Sequence, residues 1–272
     1  MILSKRVKLG SAQLDELHDA IVIRNADPGK PDESVITSDK MGGFGSRLIS
    51  TRFNSLKATV TFAIDLPKHR MKERGEVMDL INAWAKKGNW LYFTHLYTNR
   101  RMYVERIVLP NREDLWDWTK DYTIEFWNYN VPFWRSSSGT TAITDKKIAG
   151  GTLTEAYIEV DGTTGSVAKA TFANISGKTS NDFYIKTGSS EMTLNGVNLA
   201  SNETLIIDHK SDGTLRARAV VLNSAGTETS SRSVYGLITG HDDLYVNPGT
   251  VKVSVRASRA GRLTIENNAR WL

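Results

Sequence analysis

The side chains that most often do chemistry in proteins are scattered along this sequence. The five histidines are His18, His69, His95, His209 and His241, and no two have the i, i+4 spacing with which a helix presents a pair of metal ligands. There is no cysteine, which excludes disulfides, cysteine zinc sites, iron–sulfur clusters and a thiol nucleophile. The sequence therefore predicts no metal site and no cofactor.

Two short segments resemble ligand-binding loops but lack part of the motif. Asp208–Gly213 begins like a calcium loop, yet Ala219 occupies the position that should carry the bidentate glutamate. A hairpin turn at Ser211–Gly213 is the better interpretation. Gly42–Ser46 is glycine-rich, but no Lys-Ser or Lys-Thr follows it, so it is not a phosphate-binding P-loop and is interpreted as a flexible loop.

No pattern of a catalytic nucleophile is present. The sequence has no Gly-x-Ser-x-Gly elbow, and its serines lie mainly in turn-rich stretches without an evident base. A carboxylate pair for glycoside hydrolysis is defined by spatial separation, which a sequence does not reveal. We therefore expect no enzyme activity and nominate no catalytic, cofactor-binding or metal-binding residue.

Charge and hydropathy limit the partners. The net charge of +5 is spread over both halves of the chain, which argues against specific nucleic-acid binding because such binders usually concentrate their charge. A basic cluster is formed by Lys68, His69, Arg70, Lys72 and Arg74. Two interpretations are open, a contact with a phosphate or an acidic face of a neighbouring subunit and a solvated face at the start of a helix, and the second is favoured. No apolar run approaches the roughly 20 residues of a membrane span, and the N-terminus lacks the apolar region of a secretory signal, so we expect synthesis in a cytoplasm and no membrane insertion.

The tryptophans are concentrated in the first half of the chain. Six of the seven lie there, and they are Trp84, Trp90, Trp116, Trp118, Trp127 and Trp134. Core packing accounts for Trp84 and some of the others. A subunit interface is a reasonable location for the remainder.

The elements of the first half indicate an α+β module over residues 1–135. Alternating apolar residues predict a strand at Ala58–Leu66, and a 3.6-residue period predicts a helix over Arg70–Lys87 with Gly88 just beyond its end. The turn formers of residues 25–47 predict a long loop. A last strand begins at Tyr122 and ends before Phe133, because Pro132 lacks a backbone donor.

The second half has a different pattern. Residues 136–146 are expected to be a linker, and residues 147–272 contain many short apolar runs separated by turn signals such as Asn195-Gly196 and Asn247-Pro248-Gly249. Regularly spaced short strands without a helical stretch predict a β-sandwich or jelly roll. The chain is therefore predicted to be mainly β, with one helix in its first module.

These segments, in their order and spacing, resemble the distal tail (Dit) proteins of long-tailed bacteriophages and related tail-tip hub proteins. In the first half the resemblance is carried by Ala58–Leu66, Leu80–Trp84, Trp90–Phe93, Met102–Val104, Tyr122–Phe126 and Pro132–Trp134. In the second half it is carried by Met192–Gly196, Thr204–Asp208, Leu244–Gly249 and Ala269–Leu272. The resemblance implies a tail-tube-like antiparallel β-sandwich with one helix, followed by a galectin-like or jelly-roll β-sandwich.

The same resemblance implies a structural role in the virion, at the distal end of the tail. Such proteins form a ring, commonly a homohexamer, that docks on the tail tube through its N-terminal domains and meets tail-associated lysin or receptor-binding proteins on the other side. Two alternatives remain open at this point. One is a carbohydrate-binding tail or cell-surface module acting through the second domain, and the other is a tail-associated glycan hydrolase.

Overall fold

A computed structural model gives the fold and describes residues 6–39, 46–110, 121–138, 140–240 and 243–272. The chain divides between Ser137 and Ser138 into two compact units, with the C-terminal Leu272 grouped with the first. Within each unit the strands pair antiparallel, apart from isolated bridges, and one α-helix is present in the described residues. The predicted mainly β fold class with one helix is confirmed.

The first unit contains two sheets and the helix. Its strands are β1 (Val7–Leu9), β2 (Ala12–Gln13), β3 (Ile21–Asp27), β4 (Pro31–Asp39), β5 (Ser46–Ile64), β6 (Trp90–Phe93), β7 (Arg100–Tyr103), β8 (Arg106–Val108), β9 (Tyr122–Asn128) and β10 (Trp134–Ser136). One sheet has the order β2-β1-β6-β7-β10, and the other has the order β3-β5-β9-β8 with β4 also paired to β5. Between β7 and β8 the chain leaves the first sheet and joins the second.

The helix α1 (Arg74–Trp84) follows a 3-10 helix at Lys68–Glu73. Its buried residues are three and four apart, which places Val77, Ile81 and Trp84 against the core. Trp84 packs edge-on against Phe126 at 6.1 Å between ring centroids, so the helix covers the β3-β5-β9-β8 sheet. The helix is shorter than predicted. Gly88 adopts a positive φ of 82° in the turn beyond it and donates its backbone N–H to Val104, a tertiary contact that no helical period reveals.

The second unit is a β-sandwich. Its strands are β11 (Thr140–Ile148), β12 (Thr154–Val160), β13 (Ser166–Asn174), β14 (Phe183–Thr187), β15 (Ser190–Leu194), β16 (Glu203–His209), β17 (Leu215–Leu222), β18 (Glu228–Ser233), β19 (Ile238–Gly240), β20 (Tyr245–Val246), β21 (Gly249–Ala257), β22 (Gly261–Asn267) and β23 (Arg270–Trp271), with a 3-10 turn at Tyr235–Leu237. The sheets β11-β22-β13-β16-β17-β18 and β12-β21-β14-β15-β19 share one apolar core, which includes Phe172 and Phe183.

The predicted linker at 136–146 is too long. Strand β11 begins at Thr140 and pairs with β22 from Thr140 to Ile148, so most of the predicted linker belongs to the second sandwich. Two register shifts interrupt this pairing, and Asp145 adopts a positive φ of 53°. Because bulges break the period-two alternation of apolar residues, the strand was not recognisable from the sequence.

Candidate functional site

The β3-β5-β9-β8 sheet presents one face to the core and a polar face outward. Along β5 the buried residues are Leu56, Ala58, Val60, Phe62 and Ile64, whereas the alternate residues are partly or fully exposed. Strand β9 follows the same rule, with Tyr122, Ile124 and Phe126 inward and Thr123, Glu125 and Trp127 outward. This alternation is the period-two pattern that the sequence predicted for both strands.

An aromatic and ion-paired cluster lies on the outward face. Lys57 donates to Glu125 at 3.0 Å, and Trp127 donates its indole N–H to the same carboxylate at 3.1 Å. The hydrogen bond from Lys57, reinforced by that from Trp127, lowers the pKa of Glu125 below its ordinary value. Tyr129, which is 42% exposed, stacks on Trp127 with 5.9 Å between the ring centroids. The outward face therefore carries a stacked aromatic pair, Trp127 and Tyr129, beside one ion pair, Lys57 and Glu125.

A long β-arm extends this sheet. Strands β3 and β4 pair with successive parts of β5, at Thr59–Ile64 and Ser46–Leu56 respectively, so together they follow one side of a 19-residue strand. The predicted loop over 25–47 is therefore wrong for the residues described, because residues 31–39 form β4; the glycine-rich Gly42–Ser46 lies mostly outside the described residues. The turn formers at 28–30 mark an interruption between two collinear strands.

The arm exposes apolar side chains. The described side chains of residues 32–37 and 50–52 are all exposed, and among them Val35 and Ile36 are 58% and 48% exposed. At about 3.3 Å per residue, the nine residues of β4 span about 30 Å. Exposed β-branched residues on an arm of this length form a natural contact for another chain.

Gly29 fixes the base of the arm. Its φ is +62°, and a Cβ atom at this position would lie 1.9 Å from the carbonyl oxygen of Lys57. Its N–H donates to the carboxylate of Asp27 at 2.8 Å, and the carbonyl of the preceding Pro28 accepts the indole N–H of Trp134 at 3.0 Å. Only glycine allows the backbone to approach β5 this closely in this conformation.

Two of the five residues in the predicted basic cluster, Arg70 and Arg74, are engaged within the unit. Arg70 binds Glu73 at 2.7 Å and Asp19 at 2.9 Å, and hydrogen bonds from Arg70 lower the pKa of both carboxyl groups. Arg74 is buried and donates to the hydroxyl of Tyr122 at 3.0 Å. The interpretation as a solvated face holds for Lys68 and Lys72, which are exposed, but not for Arg74.

The described tryptophans divide between the core and the surface. Trp84 and Trp134 are buried, and Trp134 packs on Phe93 and Tyr97 inside the first unit. Trp90 lies half-buried beside two guanidinium groups, those of Arg101 and Arg135, whose carbons are 4.0 and 4.5 Å from its ring centroid. Internal packing therefore accounts for these three indoles, and Trp127 is the one presented on the outward sheet face. Trp116 and Trp118 lie outside the described residues.

The described histidines do not come together in one site. His18 contacts Asp19, His95 contacts the carbonyl of Arg6, and His209 binds Asp243 at 2.6 Å, while His241 lies outside the described residues. Within the described part of the chain no group of three metal-ligating side chains converges.

The calcium-like segment is a hairpin turn, as predicted. Asp208 pairs with Arg216 at 2.6 Å, and Asp212 accepts from the N–H of Thr214 across the β16–β17 turn. In the same described ranges, no helix has the length and apolarity needed to cross a bilayer.

The fold is similar to those of phage tail proteins of known structure. The Dit protein of phage SPP1, presented as a paradigm of the hub adsorption apparatus in phages that infect Gram-positive bacteria, matches with a TM-score of 0.65 and 11% identity, over 98% of this chain and 99% of that one. A chain of the phage p2 baseplate in its activated conformation with strontium matches with a TM-score of 0.51 and 10% identity, over 96% and 97% of the two chains. No family model and no curated protein matches the sequence. The chain has a Dit-like fold, and both of its units contribute to the match.

Proposed function

We propose that this protein is a structural component of a bacteriophage tail tip, a distal tail protein that forms a homohexameric ring between the tail tube and the tail-tip proteins. The observation that carries the proposal is the Dit-like fold over 98% of the chain, shared with a phage hub protein. The partners are then further copies of this chain, the tail tube protein, and tail-associated lysin or receptor-binding proteins. After synthesis in the host cytoplasm the protein resides in the virion, at the distal end of the tail.

Among the described strands, β3 and β8 are the edges of the first unit's outward sheet, and these edges support ring formation. The order β3-β5-β9-β8 leaves β3 and β8 at opposite ends of the sheet. When one edge pairs with the other edge of a neighbouring copy, the contact is heterologous, and repeating it through a closing rotation gives a cyclic ring. Closure also satisfies the backbone donors and acceptors that an exposed edge leaves unpaired.

The β-arm supports the same arrangement. Val35 and Ile36 are about half exposed, and covering the rest of each side chain contributes about 1 kcal/mol of apolar burial. Since every subunit of a ring both gives and receives an arm, this contribution is repeated at each interface. We propose that the arm lies on the neighbouring subunit, and that this role requires no catalytic chemistry.

The test is assembly of the purified full chain, with and without tail tube protein, by size exclusion with mass detection and by negative-stain imaging. The wild type is expected to form rings. The variant Val35→Glu with Ile36→Glu is expected to remain monomeric with an unchanged circular dichroism spectrum, because burying two carboxylates at each interface is unfavourable. Leu153→Glu is the matched control, since Leu153 is a 49% exposed apolar residue of the second unit.

Two results separate the parts of the proposal. A wild-type chain that stays monomeric at high concentration, even with tail tube protein, contradicts the ring. If the Val35→Glu, Ile36→Glu variant forms normal rings, the proposed role of the arm is contradicted. Ring closure would then depend on the sheet edges alone.

A further inference from the structure

The sheet β2-β1-β6-β7-β10 of the first unit has an outward face without acidic residues. Its five strands contain no aspartate or glutamate, whereas four of their residues are basic. The outward residues are Lys8, Trp90, Tyr92, Arg101, Tyr103 and Arg135, and we call them the cationic face. Arg135 belongs to this face because it lies directly opposite Arg101, and residues directly opposite in a sheet share a face. It is buried, and the other five residues are partly exposed.

Strand register places the basic side chains of the cationic face in one row. Lys8 lies directly opposite Tyr92, and Arg135 lies directly opposite Arg101. The register of β6 with β7 continues so that Tyr92 faces Arg101. With about 4.8 Å between neighbouring strands, Lys8 and Arg101 are about 10 Å apart across the sheet. Like charges directly opposite one another are unfavourable, so the pair of arginines favours a ligand of opposite charge.

Aromatic rings hold these cations in place. The guanidinium carbons of Arg101 and Arg135 lie 4.0 and 4.5 Å from the centroid of the Trp90 ring. The ammonium of Lys8 lies 5.7 Å from the ring centroid of Tyr92. Each cation therefore has an ordered position on the face before any ligand binds.

Two of the cations keep unused capacity for a ligand. Nε of Arg101 is buried and makes no hydrogen bond within the described residues. In that same part of the chain, no carboxylate lies within ion-pair distance of Lys8 or Arg101. On the outward face of the other sheet, by contrast, Lys57 is paired with Glu125 at 3.0 Å. An unpaired guanidinium with a buried donor is a binding group for a carboxylate.

We propose that the cationic face binds an acidic segment of a partner protein, through two carboxylates about 10 Å apart that reach Lys8 and Arg101. The planar guanidinium of Arg101 matches the two oxygens of one carboxylate, and Lys8 supplies a point charge for the other. The face lies within one copy of the first unit, so this binding does not depend on ring formation.

A protein segment suits the cationic face better than a nucleic acid does. Single-stranded nucleic acids stack their bases on open aromatic rings, whereas two guanidinium groups already lie over the ring of Trp90. Nucleic-acid binders also contact many phosphates, commonly about six to ten, and this face has three cations.

The test is binding of a hexaglutamate peptide to the purified full chain at low and high salt, by calorimetry and by the NMR shift of the Trp90 indole N–H. In an extended chain, glutamates three residues apart are separated by about 10 Å. Six-residue oligothymidylate is the nucleic-acid comparison. The wild type is expected to bind the peptide, to bind it more weakly at high salt, and to show a shifted Trp90 resonance.

Arg101→Gln is expected to weaken peptide binding at least about tenfold, because it removes charge-assisted hydrogen bonds. Lys8→Ala, at a partly exposed position that is not needed for the core, is expected to weaken it about threefold. Lys72→Ala is the matched control. It removes one charge from an exposed residue of the same unit outside the cationic face, and it is expected to bind as the wild type does.

Three results overturn the proposal: no binding of hexaglutamate to the wild type, an equal loss in the Lys72→Ala control, or tighter binding of oligothymidylate than of the peptide. Lys8→Ala and Arg101→Gln are both expected to assemble like the wild type. A failure of peptide binding with normal rings therefore counts against the cationic face alone, and a failure of assembly with normal peptide binding counts against the ring alone.

Discussion

Replacing Gly29 with alanine tests how the β-arm is attached to the first unit. Two costs add at this position. A non-glycine residue in the left-handed region costs about 1–2 kcal/mol, and the new Cβ atom would lie 1.9 Å from the carbonyl oxygen of Lys57, closer than non-bonded atoms approach. Forcing the two backbone segments apart costs about 1–3 kcal/mol more, by analogy with overpacked sites. We expect a total loss of about 2–5 kcal/mol in the free energy of unfolding.

Gly88→Ala provides the matched control within the same unit. Gly88 also has a positive φ, +82°, but a Cβ atom there meets nothing closer than the hydroxyl of Tyr103 at 3.7 Å, an ordinary contact. Its expected loss is therefore the conformational cost alone, about 1–2 kcal/mol. The difference between the two variants isolates the close approach of Gly29 to β5.

The measurement is urea unfolding followed by tryptophan fluorescence. Six of the seven tryptophans lie in the first half of the chain, so the signal reports mainly on the first unit. Trp134 is a local probe as well, because its indole N–H binds the carbonyl of Pro28 next to the substituted residue. Equal losses for the two variants, within about 0.5 kcal/mol, would refute the steric reasoning, since the conformational cost would then explain everything.

Two further predictions concern the stability of the separate units. Trp134→Ala is expected to destabilise the first unit by about 3–5 kcal/mol, measured by urea unfolding, because it removes a buried indole that packs on Phe93 and Tyr97. Arg232→Ala is expected to raise the pKa of Glu203, measured by NMR titration, because the hydrogen bond from Arg232 is the main cause that lowers it. The pKa of Glu203 in the folded protein lies below its ordinary value of 4.5, so the Arg232–Glu203 pair stabilises the second unit above pH 4.5, and this stabilisation is lost as the pH falls through the folded pKa. The Arg232→Ala variant should therefore lose less stability than the wild type on acidification. An unchanged midpoint of acid unfolding would contradict this expectation.

Local patterns in the sequence were sufficient to predict a strand or a helix where each of its faces meets a single environment, either the core or the solvent. Phe62 and Ile124 alternate with polar residues because one side of their sheet meets the core, and Val77 and Ile81 recur at helical spacing for the same reason. The turn at Ser211–Gly213 was also predicted, because the side chain of Asp212 acts within its own turn.

The sequence was misleading where a distant backbone determines the local conformation. The segment 28–30 has the composition of a loop, yet its glycine is needed because β5 passes directly beside it. In strand β11 the alternation of apolar and polar residues is interrupted by bulges, and these bulges are defined only by its pairing with β22. Neither effect has a local sequence signal, because both arise from residues far away in the chain.

The sequence by itself determined that the chain is mainly β and lacks cysteine chemistry, since composition and local periodicity are properties of short stretches. Separately, the order of its segments resembles that of Dit proteins. The tertiary structure decided the features on which the functional proposals depend. The arm exists because β4 pairs with β5, and the second unit's sheets likewise bring residues together through strand register, as where Arg256 lies beside Tyr184. Register is set by the packing of whole sheets, so the residues that meet across strands become known when the fold is known.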